Sequence, residues 1–268
     1  MISTIEEAIS LIGDGTLLAV PPDYAGVSMA ATRALIRRGG KGLRLVALPQ
    51  SGLQADLLIG VGMVAEIETA AVTFGEAGTG PRFAAALRAG TLRVKDATCP
   101  AIHAGFQAAE KGAPFSVMRG LIGSDLIKVR PDWRIIDNPF QSDDPVALIP
   151  AIRPDVALFH APMADRAGNV WIGRRRELVT MAHASRRTIA TVDRLFDGDL
   201  LADETLAAGT LPALYVERIA LAPGGTWPLA SDKAPTDAAH IADYVKLART
   251  EAGFAQYLDR HILTPQAA

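Results

Sequence analysis

Short apolar runs rich in β-branched residues alternate with helical segments along the first part of this 268-residue chain, and no other feature constrains the fold as strongly. The runs at 16–20, 43–48 and 67–72 have the length of buried strands, and the stretches 27–38 and 53–60 between them have helical patterns. Such alternation is typical of βαβ units, in which parallel strands form a central sheet covered by helices on both faces. The sequence therefore predicts an α/β fold with a doubly wound, mostly parallel sheet.

The same pattern predicts a single domain over residues 1–268, with the 49% apolar content that a sizeable core needs. Between 124 and 154 the periodicity weakens and prolines recur, so we expect a loop or lid inserted over the edge of the sheet. A C-terminal helical segment is predicted at about 236–262. Further strand patterns occur at 156–159, 188–192 and 215–219.

The first helix is predicted to follow Ser3 and Thr4 and to extend to about Ile12. Hydroxyl side chains at this position can accept hydrogen bonds from the free amides of a helix start. Glu6 and Glu7 would then lie in the first turn, where the helix dipole favours negative charge.

The charge balance excludes several classes of partner. With 27 basic and 29 acidic residues scattered along the chain, the net charge is −2, which indicates neither nucleic acid nor an anionic membrane surface as a partner. Apolar stretches such as 57–64 are far shorter than the roughly 20 residues of a membrane-spanning helix. The N-terminus also lacks a signal-peptide pattern, so we expect a cytoplasmic protein.

The cysteine and histidine content gives no indication of a metal site. Cys99 is the single cysteine, so the chain has no internal disulfide and no cysteine-based metal site. The five histidines do not have the spacing of metal ligands, and each is interpreted as a packed or surface residue. No metal is predicted.

Two segments could bind phosphate, but each has a simpler interpretation. Gly75–Gly80 is rich in glycine and precedes a helix, yet its spacing matches neither a P-loop nor a dinucleotide-binding loop, so a plain strand-to-helix turn is favoured. Arg174–Arg176 could hold a nucleotide phosphate, because guanidinium groups bind phosphate in a forked geometry. A solvated basic turn is the favoured interpretation there.

The run His160–Gly173 follows the predicted strand 156–159 and leads into another short apolar segment. Gly168 and Asn169 both tolerate a positive φ, which predicts a tight turn between two strands. We interpret Asp165, Gly168 and Asn169 as turn residues that fix how these strands meet, and not as an active site.

Three ordered elements resemble family I coenzyme A transferases, and within them the α-subunit type, as in glutaconate CoA-transferase. They are the Ala-Asp-x-x-Gly-Asn-Val turn ending at Val170, the segment 112–125 with the sequence GAPFSVMRGLIGSD, and the segment 178–197. The resemblance extends from about Ile5 to Tyr244. It implies the CoA-transferase type of α/β fold.

The resemblance also implies an activity and a partner. Enzymes of this family move CoA between carboxylic acids through a glutamyl-CoA thioester, and their nucleophile is a glutamate in a Ser-x-Glu-Asn-Gly-like motif of the β subunit. No Glu-Asn-Gly occurs in this sequence. The chain is therefore expected to be an α subunit that forms a heterodimer or heterotetramer with a β subunit. Its substrates would be acyl-CoA and a carboxylic acid, with no tightly bound cofactor.

The loop after the first strand departs from the family pattern. The α type carries a Gly-Gly-Phe-Gly sequence there, whereas this chain has PPDYAGVS at 21–28, whose two prolines lack amide donors for an oxyanion. Tyr24, Gly26 and Ser28 in this loop, together with Gly123, are the expected contacts for substrate or CoA.

Cys99 and Arg119 are the predicted catalytic residues. Cys99 lies where family members carry a glutamine or glutamate, and it precedes a predicted helix whose dipole favours negative charge. Cys99 is therefore either a thiol nucleophile or one more small buried residue. Arg119 matches an arginine of the family and could bind a substrate carboxylate through two hydrogen bonds, although a structural ion pair would explain it equally well.

Two other functions stay open at this point. Some relatives lack the β-subunit glutamate and direct water to a CoA-linked substrate, so a hydrolase or a ring-opening enzyme on the same scaffold is an alternative. The unusual loop at Tyr24 and the cysteine at position 99 keep it open. A non-catalytic ligand-binding α/β protein is a second alternative.

Overall fold

The computed structural model describes residues 2–264. The strands are β1 (Ile2–Ser3), β2 (Leu17–Val20), β3 (Leu43–Ala47), β4 (Val64–Thr69), β5 (Arg93–Asp96), β6 (Phe115–Met118), β7 (Arg134–Asp137), β8 (Pro145–Pro150), β9 (Val156–Asp165), β10 (Val170–Trp171), β11 (Arg187–Phe196), β12 (Thr210–Leu211) and β13 (Arg218–Leu221). The helices are α1 (Ile5–Ile9), α2 (Met29–Arg38), α3 (Leu53–Gly60), α4 (Pro81–Ala89), α5 (Cys99–Glu110), α6 (Leu126–Val129), α7 (Arg176–Ala184), α8 (Ala238–Leu247) and α9 (Glu251–Leu258).

The central sheet has the order β1-β13-β11-β9-β2-β3-β4-β5, and neighbouring strands along it are parallel. The short strands β10 and β12 extend it from β9 in antiparallel fashion. This arrangement confirms the predicted α/β class and the doubly wound, mostly parallel sheet. The order of the strands along the chain reverses between β2 and β9, and such a switch point is where open α/β sheets bind ligands.

Both faces of the sheet are covered, which explains why its strands are almost continuously apolar. Residues of α1 to α4, α8 and α9 form the core on one face. Residues of α5, α7 and a small second sheet form the core on the other face. The apolar strands of the sequence pattern are thus the strands of a sheet that is buried on both faces, and the helices between them are the ones that cover it.

The first helix begins where it was predicted. The Thr4 side chain accepts a hydrogen bond from the Glu7 amide, and the Glu7 carboxylate accepts one from the Thr4 amide, which completes a capping box. The helix is shorter than predicted, because it ends at Ile9. The two residues before Thr4 form β1, which pairs with β13 and was too short to show a sequence pattern.

The region between 124 and 154 contains more regular structure than the predicted loop. Strands β7 and β8 lie there, and β8 pairs with β6 and β7 to form a three-stranded antiparallel sheet. The pattern was hidden because every residue of β7 is exposed and because Pro145 and Pro150 stand at the ends of β8. Its role as a lid stays a prediction.

Several boundaries differ from the expected ones. The strand predicted at 67–72 is β4 at Val64–Thr69, and the strand predicted at 188–192 is part of β11 at Arg187–Phe196. The strand predicted at 156–159 continues to Asp165, so the first six residues of the His160–Gly173 run belong to β9. The strand predicted at 215–219 is displaced, because a 3-10 turn at Ala213–Tyr215 precedes β13. The predicted C-terminal segment consists of α8 and α9 followed by a π-helical turn at Asp259–Leu263.

Candidate functional site

A cleft of about 550 Å³ lies at the switch point of the sheet. Residues of the loop after β2, of β9 and of β11 line it, because the carboxyl ends of these parallel strands meet at one edge. Its size is that of a small-molecule site. The lining residues are Tyr24, Ala25, Gly26, His160, Pro162, Trp171, Ile172, Gly173, Arg174, Arg175, Leu178, Asp193, Thr226, Ala230, Ser231 and Asp232.

A chain of polar side chains forms the floor of the cleft. The His160 ring is buried, with Nδ1 2.9 Å from Thr191 Oγ1 and Nε2 3.3 Å from Asp193 Oδ1. Ser28 Oγ lies 2.7 Å from the same Thr191 hydroxyl, and the Gly224 amide donates to Asp193 Oδ1 at 2.8 Å. The hydrogen bond with His160 holds the pKa of Asp193 below its usual value, against the opposing effect of burial. The floor is therefore a satisfied network in which Asp193 is a carboxylate.

Gly26 connects the loop after β2 to β9. The His160 amide donates to the Gly26 carbonyl at 2.6 Å, and Gly26 has φ +80°. A Cβ atom at this position would lie 2.1 Å from the His160 carbonyl oxygen. Only glycine fits here, for reasons of both conformation and space. Gly26 also lines the cleft, whereas Ser28 is buried and uses its hydroxyl within the network.

Tyr24 lines the cleft and interacts electrostatically with Cys99, which lies outside the lining. Cys99 is exposed at the first position of α5, after the N-cap residue Thr98. The pKa of Tyr24 is raised by partial burial and by electrostatic interaction with Glu177 and Cys99, while Arg175 opposes the shift. The Arg175 guanidinium carbon is 5.4 Å from the centre of the Tyr24 ring. Tyr24 therefore belongs both to the cleft and to the surroundings of Cys99.

His103 extends this second group by one helical turn. It lies four residues after Cys99 in α5, so the two side chains share a face of the helix. Burial lowers the pKa of His103, and the charge of Glu177 opposes that shift. Glu177 thus interacts electrostatically with both Tyr24 and His103, and side chains of these types can act in proton transfer.

Arg119 and Gly123 lie outside the cleft lining. Arg119 follows β6 and makes two hydrogen bonds to Asp144, at 2.7 and 2.5 Å, which lower the pKa of Asp144 to about 2. This geometry is the structural ion pair that was one of the two interpretations of Arg119. Gly123 has φ +81° in the turn before α6, with open space around its Cα. Contacts of either residue with substrate stay predictions.

Asp193 and Thr191 of the floor were not predicted from the sequence. Thr191 is the last residue but one of the predicted strand 188–192, and Asp193 directly follows that strand. Polar residues near the carboxyl end of a buried strand could have indicated them. Their pairing with His160 depends on the register of β9 against β11, in which His160 lies opposite Thr191. The register between two strands cannot be predicted from a local sequence pattern.

The turn between β9 and β10 has the predicted role. The Asp165 carboxylate accepts hydrogen bonds from the Asn169 amide at 2.9 Å, from Asn169 Nδ2 at 2.8 Å and from the Leu200 amide at 3.1 Å. Asn169 Oδ1 in turn accepts from the Ala213 amide at 2.9 Å. These residues join three segments of backbone, which confirms their interpretation as turn residues.

Two kinds of feature are absent from residues 2–264. They contain no group of three or more His, Cys, Asp or Glu side chains arranged to hold a metal ion. No helix within the same range has the length and apolar character needed to cross a membrane.

Comparison with known proteins identifies the family. No protein-family model matches the chain. The chain is, however, 32% identical to a subunit of 3-oxoadipate CoA-transferase from Pseudomonas knackmussii, over 97% of this chain and 92% of the relative. The chain belongs to the CoA-transferase family. This CoA-transferase chain is of the α-subunit type, as the resemblance in three sequence elements predicted.

Solved structures agree with this assignment. The glutaconate CoA-transferase of Acidaminococcus fermentans matches the CoA-transferase chain with a TM-score of 0.89 and 26% identity, over 98% of this chain and 88% of that one. The decarboxylase AibA/AibB, in a cysteine-to-serine variant, matches with a TM-score of 0.86 and 32% identity, over 97% of both chains. Among sequence relatives, a cholesterol ring-cleaving hydrolase IpdA subunit of Rhodococcus jostii is 26% identical over 87% of this chain and 82% of its own length. The scaffold thus serves several activities.

Proposed function

We propose that this chain is the α subunit of a heteromeric CoA-transferase that moves CoA between carboxylic acids, with the nucleophilic glutamate on a separate β chain. The observation that carries the proposal is the match to one subunit of a CoA-transferase along nearly the whole length of both chains. The sequence has no Glu-Asn-Gly, so the glutamate of the family motif would have to come from another chain. CoA is a substrate in this scheme, and a single cysteine suits the reducing cytoplasm.

The exposed groups at the carboxyl edge support a site that a second chain completes. Cys99 is exposed, and Tyr24 is 52% exposed although it lies at the switch point of the sheet. A partner that covers this edge would exclude water, which would otherwise hydrolyse a thioester intermediate. A heterodimer or a heterotetramer of α and β chains would satisfy this requirement.

Transfer would need a nucleophile, a hydrogen-bond donor for the oxyanion and a place for the acyl group. The partner's glutamate would attack the acyl-CoA carbonyl carbon, the CoA thiolate would leave, and the resulting acyl anhydride would be attacked by the same thiolate at the glutamyl carbonyl. The free acid would then depart, and its replacement by a second acid would reverse these steps. The Tyr24 hydroxyl is protonated at neutral pH, since the tyrosine pKa is ordinarily near 10 and is not lowered here, so it can donate a hydrogen bond to the oxyanion.

Cys99 and Arg119 are the two further residues that we assign to the site. Cys99 would lie against the acyl group at the start of α5. The Arg119 side chain is 65% exposed and already binds the Asp144 carboxylate through two hydrogen bonds. A substrate carboxylate could take the place of Asp144 in the same geometry, and Gly123 would give it room.

The function is tested by co-expression with a candidate β chain that carries the Glu-Asn-Gly motif. We expect the purified complex to exchange CoA between an acyl-CoA and a free acid. Borohydride added in the presence of acyl-CoA should reduce one glutamate of the partner, as detected by mass spectrometry, whereas borohydride without acyl-CoA should not. A complex that hydrolyses acyl-CoA but never forms a new CoA ester would contradict the proposal.

Tyr24→Phe in the same complex is expected to lower kcat about tenfold or more, because one donor to the oxyanion is lost. The ring and its contact with Arg175 remain, so KM should change little. Tyr215→Phe is the matched control, since Tyr215 packs on His183 away from the cleft lining and should leave kcat unchanged. An unchanged kcat for Tyr24→Phe would remove the hydroxyl from the mechanism.

A decarboxylase or hydrolase is the second candidate function. It is favoured by the AibA/AibB match, which is as extensive as the transferase match, and by the exposed thiol at position 99. Release of carbon dioxide, or of free CoA and acid, would identify these reactions in the same assay. Loss of that activity in Cys99→Ala would then assign chemistry to the thiol, whereas retention of transfer in this variant would fit the first candidate.

A further inference from the structure

We propose that the cleft binds an oxyanion attached to an apolar body, and that Arg174 and Arg175 hold the oxyanion at the mouth. The anion would be a phosphate of CoA, or the carboxylate of an acid substrate bound here in place of the contact with Arg119 proposed above. The choice of these two ligands rests on the proposed function. Binding of an anion to the cleft can be measured without any CoA transfer.

The three consecutive arginines differ in their positions. Arg174 and Arg175 line the cleft, whereas Arg176 begins α7 and lies outside the lining. Within residues 2–264 neither Arg174 nor Arg175 forms an ion pair with a carboxylate. Arg119 and Arg130, in contrast, are held by carboxylates of the chain. Two arginines of the cleft lining thus have no carboxylate partner among residues 2–264, and the forked donors of a guanidinium group suit carboxylate or phosphate.

The backbone fixes the segment that presents these arginines. The amides of Ile172 and Gly173 both donate to the Gly209 carbonyl, at 2.8 and 3.1 Å. The Arg175 guanidinium also lies over the Tyr24 ring, which limits its freedom. Since less side-chain and backbone motion has to be lost on binding, a fixed segment favours affinity.

The acidic groups of the cleft do not cancel this positive charge. Asp193 at the floor is already engaged by His160, by the Gly224 amide and, at 4.0 Å, by Lys233 Nζ. Asp232 is the other carboxylate in the lining. Within the lining, Arg174 and Arg175 thus face one carboxylate that has no ion pair among residues 2–264, while Glu177 acts on Tyr24 from outside the lining. Carboxylates of the chain therefore leave the donors of both arginines free for an anion.

The walls between mouth and floor are largely apolar. Ile172 and Leu178 are almost fully buried, and Trp171 and Pro162 complete this part of the lining. A ligand that places its anion at the arginines would lay an alkyl chain or a ring against these side chains. A free inorganic anion would leave most of the cleft unfilled.

The test is calorimetric titration of the full chain, and of its complex with the β chain, with glutarate, hexanoate and adenosine 3′,5′-bisphosphate. We expect at least one of these probes to bind, with an affinity that falls at higher salt. Arg174→Gln and Arg175→Gln should each weaken binding about tenfold, and Arg176→Gln, the matched control, should change it less than about twofold. Binding of the two acids would assign the site to the acid substrate, and binding of the bisphosphate would assign it to CoA.

Two outcomes would overturn the proposal. One is the absence of binding tighter than about 10 mM for all three probes in both the chain and the complex. The other is an equal effect of Arg176→Gln and of the two cleft substitutions, which would indicate a general charge effect. Failure of this site can be separated from failure of the proposed function. If the complex with Arg174→Gln and Arg175→Gln transferred CoA with unchanged KM values for both substrates, the anion site would be wrong and the proposed CoA transfer would stand. If the complex bound the anion probes but transferred no CoA, the anion site would stand and the proposed function would be wrong.

Discussion

Gly26→Ala is expected to lower the free energy of unfolding by about 3 to 5 kcal/mol, because it combines a steric clash with an unfavourable backbone conformation. The new Cβ would lie 2.1 Å from the His160 carbonyl oxygen, and φ is +80° at this position. Neither the loop nor β9 can move away easily, because the His160 amide donates to the Gly26 carbonyl. Urea denaturation followed by circular dichroism measures the change.

Gly13→Ala is the matched control for this substitution. No atom lies within 4 Å of a Cβ built at Gly13, and Gly13 does not have a positive φ. Its stability should be unchanged or slightly higher, because alanine restricts the unfolded chain. If Gly26→Ala were as stable as Gly13→Ala, the close approach of the loop to β9 would be wrong, and with it the shape of the cleft.

Arg130→Ala is expected to lower the free energy of unfolding by about 3 kcal/mol, because it removes the buried partner of Glu68 and Asp132 and leaves both carboxylates paired with the partly exposed Lys95 alone. The Arg130 side chain is 3% exposed and donates to Glu68, to Asp132 and to the Asp96 carbonyl. Its guanidinium also lies over the Trp133 ring, at 4.2 Å from the centre. Thermal and urea unfolding of the variant measure the loss.

Lys128→Ala serves as the control, since Lys128 and Asp125 form an exposed ion pair at 2.7 Å whose removal should cost less than about 1 kcal/mol. The pH dependence gives a second readout. Hydrogen bonds from Arg130 hold the pKa of Asp132 below its usual value, so the stability from this pair is present above about pH 4 and is lost as the pH falls. Arg130→Ala should therefore show a weaker acid dependence of stability than the unmodified chain. Equal losses for Arg130→Ala and Lys128→Ala would contradict the assignment of a buried ion pair.

Arg130 also connects the fold to the candidate site. It joins the segment after α6 to β4 through Glu68 and to the end of β5 through the Asp96 carbonyl. Cys99 follows β5 by three residues, and Arg119 lies beside the small sheet that Trp133 helps to pack against the core. Loss of Arg130 should therefore disturb the relative positions of the two predicted catalytic residues.

The central sheet could be predicted from the sequence because each of its buried strands needs apolar residues on both faces. The small sheet could not, because β7 is exposed along its whole length and carries no such signal. Tyr24 and Gly26 could be placed near the site, since the loop after a parallel strand reaches the carboxyl edge of the sheet, and both residues line the cleft.

Two pairings of the candidate site could not be predicted. His160 and Asp193 are 33 positions apart and meet through the register of two strands. The pairing of Arg119 with Asp144 depends on a turn between β7 and β8. Such contacts are set by tertiary packing, which local patterns do not contain.

The position of the cleft follows from how briefly its two central strands run side by side. β2 and β9 pair at Leu18–Val156 and Ala19–Ala157, whereas β9 and β11 stay paired from Val156–Arg187 to Asp165–Phe196. Beyond Ala19 the two strands diverge, and the hydrogen bond between Gly26 and His160 crosses the resulting gap. A ligand in the cleft would contact both halves of the sheet and hold them together, so its binding should slow the hydrogen exchange of the backbone amides where β2 and β9 separate.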